Sequence, residues 1–432
     1  MTHSASPDAL PHAAMDSYRE ALEHWRETGQ LRRCRTVIPH GDAGESSAST
    51  LVELDGQLAI NFSSNDYLGL SQDERLKAAS IEAIQHYGTG SASSRLISGT
   101  GPLVQALEAA LARFKKTEAA LVFNSGYQAN VAILQAILEP GDLVFCDRLN
   151  HASLVDGCRL SEARWTRYPH LDLDNLEARL RKAPTEARKW IVTDSVFSMD
   201  GDYPDLCALV EIAERYDALV MVDEAHATGL YGDERSSGLC EQFALSHRVA
   251  LQMGTFSKAL GGAGAYVAGS RVLMDTLINR ARGFIYSTAL PPAVVAAAHA
   301  AVALVQTDFQ PKTRLWENVA YFEQQAVQAG LAHRFQFPLK SPIVPVLVGD
   351  STQALQASQA LLDAGYFVQG IRPPTVPVGT ARLRIALSAA HTRPQIEGLI
   401  QALSHALPES PDLTGSLPQP ESSAGCTRES LR

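Results

Sequence analysis

The run Leu219-Val220-Met221-Val222-Asp223-Glu224-Ala225-His226 decides how this chain is read. Its first four residues make a short apolar strand fit for burial on both faces. A carboxylate then stands at the strand end, where a charge is costly unless it finds a partner. Further on, Met253-Gly254-Thr255-Phe256-Ser257-Lys258-Ala259-Leu260-Gly261-Gly262 offers an amine bracketed by hydroxyls and glycines. One strand end with an acid and one turn with a lysine are the two parts that must meet in the fold.

Outward from these runs, short apolar stretches alternate with amphipathic ones. Ala119–Phe123, Leu143–Cys146, Trp190–Thr193, Leu219–Val222, Val249–Met253 and Ala265–Ala268 read as buried strands. Helical spacing at Leu103–Phe114, Gln128–Leu138, Leu173–Lys182 and Leu206–Tyr216 separates several of them. That alternation predicts an α/β domain with a mainly parallel sheet covered on both faces. Ligands in such sheets bind where strands end, which places Asp223 and the Ser195–Asp200 turn at the natural site. An Ala-rich stretch, Ala293–Val305, follows Pro291-Pro292 and reads as a buried helix too short to span a bilayer. Beyond it, Ile343–Val348, Phe367–Gln369 and Arg382–Ala386 read as strands of a smaller α+β domain.

The expected organisation is an N-terminal segment over 1–60, a large domain over 61–300, a small domain over 301–407 and a flexible tail over 408–432. The first 14 residues or so are polar and proline-bearing, the composition of a disordered start, and a helix suits Met15–Thr28. The chain has 432 residues, 45% of them hydrophobic and 19% charged, as in ordinary globular enzymes. A formal charge of −10 argues against nucleic-acid binding. The six cysteines lack metal-ligand spacing and read as scattered reduced thiols, so no metal is expected. With no basic-then-apolar start and no spanning segment, the reading is cytoplasmic and free of membrane.

An amine and a carboxylate presented this way suit an aldehyde cofactor on a pyridine ring. The amine forms a Schiff base, and the carboxylate keeps the ring nitrogen protonated. At about 4 Å that ion pair gains about 4 kcal/mol at an effective dielectric of 20. Taken alone, Asp223 also fits a helix N-cap. Together, Lys258 and Asp223 point to pyridoxal 5′-phosphate (PLP). Asn124-Ser125-Gly126-Tyr127-Gln128-Ala129-Asn130 follows a strand and opens a helix, so its free N–H groups can cradle a phosphate. The same pattern fits any βα turn, but Thr255 and Ser257 beside the lysine add hydroxyl donors. His226 is close enough to Asp223 to reach another edge of the ring, and His151 follows a strand from which it could stack on the ring face. Ser198 lies in a strand-end turn. Gly261-Gly262-Ala263-Gly264 lacks dinucleotide-binding spacing and is set aside.

With these residues placed, the chain resembles the α-oxoamine synthases, PLP enzymes of fold type I. The markers are Asn61-Phe62-Ser63-Ser64-Asn65-Asp66-Tyr67-Leu68-Gly69-Leu70, Ser98-Gly99-Thr100, Val222–His226, Thr255–Lys258 and Ile371-Arg372-Pro373-Pro374-Thr375-Val376-Pro377. The resemblance spans about Leu31 to His405. It implies a PLP-dependent transferase fold with a seven-stranded-type sheet in the large domain. It implies Lys258, Asp223, His226 and His151 as the catalytic set. Gly126, Tyr127, Ser198, Thr255 and Ser257 would complete the cofactor site, with Thr288 supplied by the neighbouring subunit of a homodimer. Arg32, Asn65, Arg372 and Thr375, with His151, would contact substrate.

The implied reaction joins L-alanine to a pimeloyl thioester carried by acyl carrier protein or coenzyme A. Siblings of the family join glycine or serine to other acyl-CoA substrates, and a silent partner subunit is the non-enzymatic alternative. The chain departs from the family at Ala92-Ser93-Ser94, where glycines are usual. Two basic clusters, Arg32/Arg33/Arg35 and Arg280/Arg282, are either solvated surface or a rim that attracts an acidic carrier.

Overall fold

The structure is a computed structural model that describes residues 13–40 and 50–407. The expected disordered start and the 408–432 tail lie outside the described residues, apart from a helix at Ala13–Glu27. A ribbon of three short strands follows, β1 (Val37–Pro39), β2 (Leu51–Leu54) and β3 (Gln57–Asn61), paired antiparallel in sequence.

The central sheet has seven strands: β4 (Ala119–Phe123), β5 (Leu143–Asp147), β6 (Arg164–Tyr168), β7 (Lys189–Asp194), β8 (Ala218–Asp223), β9 (Leu251–Thr255) and β10 (Ala265–Gly269). Their order is β4-β10-β9-β8-β7-β5-β6, with only β10 antiparallel to its neighbours. Alternate side chains enter different cores. Val220 and Val222 join one apolar cluster, while Met221 of the same strand joins the other with Trp190 and Val192. Both faces are therefore covered, as the unbroken apolar runs required.

Six of the seven strands fall where the sequence placed them, but β9 begins two residues later and continues through Gly254-Thr255 to the lysine turn. The missed strand is β6, Arg164-Trp165-Thr166-Arg167-Tyr168. It pairs only with β5 and buries one residue fully, so it carries no apolar run to read.

The smaller sheet joins β11 (Ile343–Gly349), β13 (Gln369–Ile371) and β14 (Ala381–Ala386) in the order β11-β14-β13. The expected strand Phe367–Gln369 is divided. Its first half belongs to β12 (Tyr366–Phe367), which pairs in parallel with β3 of the N-terminal ribbon. The Ala-rich helix runs Pro292–Thr307 after its proline pair. No single described helix is long and apolar enough to cross a membrane.

Candidate active site

Parallel pairing brings the ends of β7, β8 and β9 into one line. Asp194 is the register partner of Asp223, and Asp223 that of Met253. The chain leaves β9 at Thr255 and turns directly into Ser257 and Lys258. Buried carboxylates on two adjacent strands repel. Burial and the charge of Asp223 push the Asp194 pKa well above its ordinary value, and its Oδ2 accepts the His151 N–H at 2.8 Å. Lys258 is half-buried. Burial lowers its pKa to about 8 against the pull of Asp223 and Asp194, so it sheds its proton far more easily than a surface lysine.

Asp223 is met by neutral donors. The Ala225 N–H reaches Oδ1 at 2.9 Å and Asn130 Nδ2 reaches Oδ2 at 2.7 Å. The N-cap reading for Asp223 has a local basis in that first bond, although none of the described α-helices begins there. His226 is buried, which drops its pKa well below the ordinary imidazole value, and its Nδ1 lies 2.8 Å from the Tyr67 hydroxyl. His151 is the N-cap of the helix Ala152–Leu160. Withdrawal from water, with Lys258 adding to it and Asp223 opposing, lowers its pKa. The residue as a whole nevertheless remains exposed.

Gly126 is the first residue of the helix Gly126–Ile137, capped by Ser125. A Cβ at Gly126 would meet Met253 Cε at 3.2 Å and Thr255 Cβ at 4.0 Å, so glycine keeps this turn against the end of β9. The Thr255 and Ser257 hydroxyls lie 2.8 Å apart in the same corner. Hydroxyls, a helix N-terminus and a glycine thus converge beside Lys258, a donor set that fits a phosphate. Tyr127 is half exposed and donates its hydroxyl to Asp156. Thr288 lies near the same turn, where its carbonyl accepts from Asn124 Nδ2 at 2.8 Å and its backbone bridges to Ser94.

Arg32, Arg372 and Thr375 form a separate group. Arg32 donates to the Thr375 hydroxyl at 3.1 Å, and Arg372 grips the Gly29 and Leu31 carbonyls at 2.9 and 3.2 Å. Asn65 and Ser198 instead meet at Arg384, a residue the sequence reading did not single out. Arg384 Nε donates to the Ser198 carbonyl at 2.6 Å, and its NH2 nitrogen to Asn65 Oδ1 at 3.1 Å. It is a buried guanidinium whose hydrogen-bond partners among the described residues are neutral oxygens. The signal was available: Arg382 and Arg384 interrupt a strand that is otherwise apolar. Arg382 pairs with Asp200 at 2.5 Å, whereas Arg384 has no ion-pair partner among the described residues.

The basic clusters are partly neutralised. Arg35 pairs with Asp55 at 2.7 Å and Arg280 pairs with Glu139, whereas Arg32 and Arg33 of the first cluster stay exposed, Arg32 bonded to a neutral hydroxyl.

A half-buried low-pKa lysine beside a strand-end acid, over a helix N-terminus, defines a PLP-type site of fold type I. The family model for aminotransferase class I and II matches residues 59–403, and the chain belongs to this family. Within it, the chain is 50% identical to the 8-amino-7-oxononanoate synthase of Geobacter sulfurreducens over 385 residues, 89% of this chain and 96% of that protein. Among solved structures, serine palmitoyltransferase from S. paucimobilis with bound PLP–myriocin aldimine superposes with a TM-score of 0.82. The two are 30% identical, over 91% of this chain and 97% of that one. The 8-amino-7-oxononanoate synthase from Francisella tularensis superposes with a TM-score of 0.69 at 29% identity, over 80% and 97%.

Proposed function

We propose that this chain condenses L-alanine with a pimeloyl thioester to give 8-amino-7-oxononanoate, releasing carbon dioxide and the thiol of the carrier. The observation that carries the reading is Lys258, half-buried, lowered to about 8 and set just beyond the end of β9, the neighbour of the strand that ends in Asp223. The cofactor is pyridoxal 5′-phosphate, which when bound supplies an aldehyde for amine exchange and a ring that takes up electrons from the substrate Cα.

Lys258 would attach to it, Asp223 would hold the proton at the pyridine nitrogen, and His226 would meet the ring oxygen. His151 would lie against the ring face. The N–H groups of Gly126 and Tyr127, with the Thr255 and Ser257 hydroxyls, would hold the phosphate, with Ser198 at the rim. With alanine bound, Lys258 Nζ would take the proton from the alanine Cα and later return one to the product carbon. Arg384 orients the alanine carboxylate: a buried cation with no anionic partner among the described residues is satisfied by one from substrate. Arg32, Arg372 and Thr375, with Asn65, contact the substrates from the N-terminal arm and the small sheet.

The enzyme works in the cytoplasm as a homodimer whose second copy supplies Thr288. In support, Leu96, Ile97 and Tyr286 expose 50%, 83% and 71% of their surface around the Ser94–Thr288 bridge. Such apolar surface fits an interface. The test is a product assay with alanine, glycine and serine against both pimeloyl thioesters, on acyl carrier protein and on coenzyme A. Product from alanine is expected. Turnover confined to glycine or serine overturns the reading.

A further inference from the structure

Between Asp223 and His151 lie two side chains that the reaction above does not use. Asn130 is 1% exposed and Ser153 is fully buried. Asn130 Nδ2 donates one proton to Asp223 Oδ2 at 2.7 Å and the other to Ser153 Oγ at 2.9 Å. The amide orientation follows from this contact, since turning it would set oxygen against a carboxylate oxygen. Ser153 Oγ thereby accepts from Asn130, and its own proton has His151 Nδ1, 2.7 Å away, as acceptor. The Ser153 backbone N–H also points at that nitrogen, at 3.3 Å.

Two donors converging on Nδ1 require it to be bare. A neutral imidazole carries one proton, so here it sits on Nε2. The opposite tautomer would place two donors on Ser153 Oγ and leave its hydroxyl proton, inside the protein, without its one acceptor among the described residues. Leaving a buried donor unmade costs more than an ordinary hydrogen bond returns. The backbone is pinned as well, through the His151 N–H on Asp194.

We propose that Asn130 and Ser153 are positioning residues, a hydrogen-bond relay from Asp223 that imposes the Nε2–H tautomer on His151 and makes this ring a neutral donor toward the cleft. The inference rests on the reading of His151 as a site residue but not on the identity of the substrates. The carboxylate that would pair with the ring nitrogen and the histidine that would lie over the ring are then joined by one chain of bonds, so a disturbance at either end reaches the other.

The test is nitrogen NMR of the full-length enzyme with cofactor and 15N-labelled histidine, the His151 signals being assigned by their loss in His151→Asn. Wild type is expected to show Nδ1 bare and Nε2 protonated. Ser153→Ala should move the tautomer ratio by roughly threefold to tenfold, the worth of one ordinary hydrogen bond, and Ser153→Thr should restore it. Asn130→Ala should shift the ratio in the same direction, and the double variant no further than the larger single change. A wild-type ring protonated at Nδ1, an unchanged ratio in Ser153→Ala, or strictly additive changes overturns the relay. The measurement needs no substrate, so its failure leaves the product assay untouched, and the reverse also holds.

Discussion

Two lysines are drawn to the adjacent acids Asp223 and Glu224: Lys115, which is fully buried, and Lys258, which is half-buried. For Lys115, burial alone would lower the pKa, but Glu224 reverses the direction and holds it above the ordinary lysine value. The pair is closed. Lys115 Nζ donates to Glu224 and to the Ser237 carbonyl at 2.7 Å, and the other Glu224 oxygen accepts the Cys240 N–H at 2.9 Å. Gly238 leaves room for that carboxylate, since a Cβ there would come within 2.4 Å of it. For Lys258, burial prevails, and the pKa falls to about 8 although Asp223 and Asp194 pull upward. Asp223 spends its oxygens on Asn130 and Ala225 instead. The difference shows that burial does not by itself make a reactive amine. What matters is whether the nearby acid is given to the lysine or withheld from it.

The sharpest way to break this comparison is to remove each amine. Lys258→Ala should lower turnover by roughly a thousandfold or more with the fold intact, since a nucleophile and proton carrier is lost. Retention of a tenth of the wild-type rate in the product assay would falsify the chemical role. Lys115→Met should act on stability instead, costing about 3–5 kcal/mol because it strands a buried carboxylate. Pairing it with Glu224→Leu should recover much of that loss, as read by denaturant unfolding. A cost below about 1 kcal/mol, or no recovery, means that Lys115 and Glu224 are not a closed structural pair.

A gentler test uses pH on the cofactor-free protein. Lys258 has a folded pKa of about 8 against 10.5 for an ordinary lysine, so between these values the unfolded chain binds the extra proton. Stability must therefore rise with pH across that window, by at most about 3 kcal/mol relative to Lys258→Met. Lys115 has the opposite sign. Its contribution is complete below the ordinary lysine pKa and is lost only as pH climbs through its raised folded value. A difference curve against Lys258→Met that is flat between pH 8 and 10.5 contradicts the assignment of Lys258.

Much of this was legible in the sequence, for a physical reason. Strands buried on both faces leave unbroken apolar runs, and strand-end acids break them at a visible point, as Asp223 does. Lys258 stood out because hydroxyls and glycines flank it. What escaped notice depended on neighbours far along the chain. β6 is an edge strand with two arginines, and its pairing with β5 cannot be read from its own composition. Arg384 is informative only once Asp200 is seen to satisfy Arg382 and not Arg384. Lys115 carried no local mark of burial, because its partner is 109 residues away. The Asn130–Ser153 relay likewise joins two helices and a strand, each unremarkable when read alone.

The pairing of β3 with β12 has a consequence for how the chain is made. Phe62 N–H and Ser63 Oγ both donate to the Phe367 carbonyl, the hydroxyl contact spanning 304 residues. During synthesis the seven strands of the central sheet have all emerged once Gly269 clears the ribosome, whereas β3 must wait with one edge open for a strand not yet translated. Closing so long a loop adds little entropy beyond closing a moderate one, so the hazard is the waiting time. An open strand edge is a template for other chains. A nascent chain stalled before Phe367 is therefore the aggregation-prone species of this protein, and slow translation between the two sheets prolongs it.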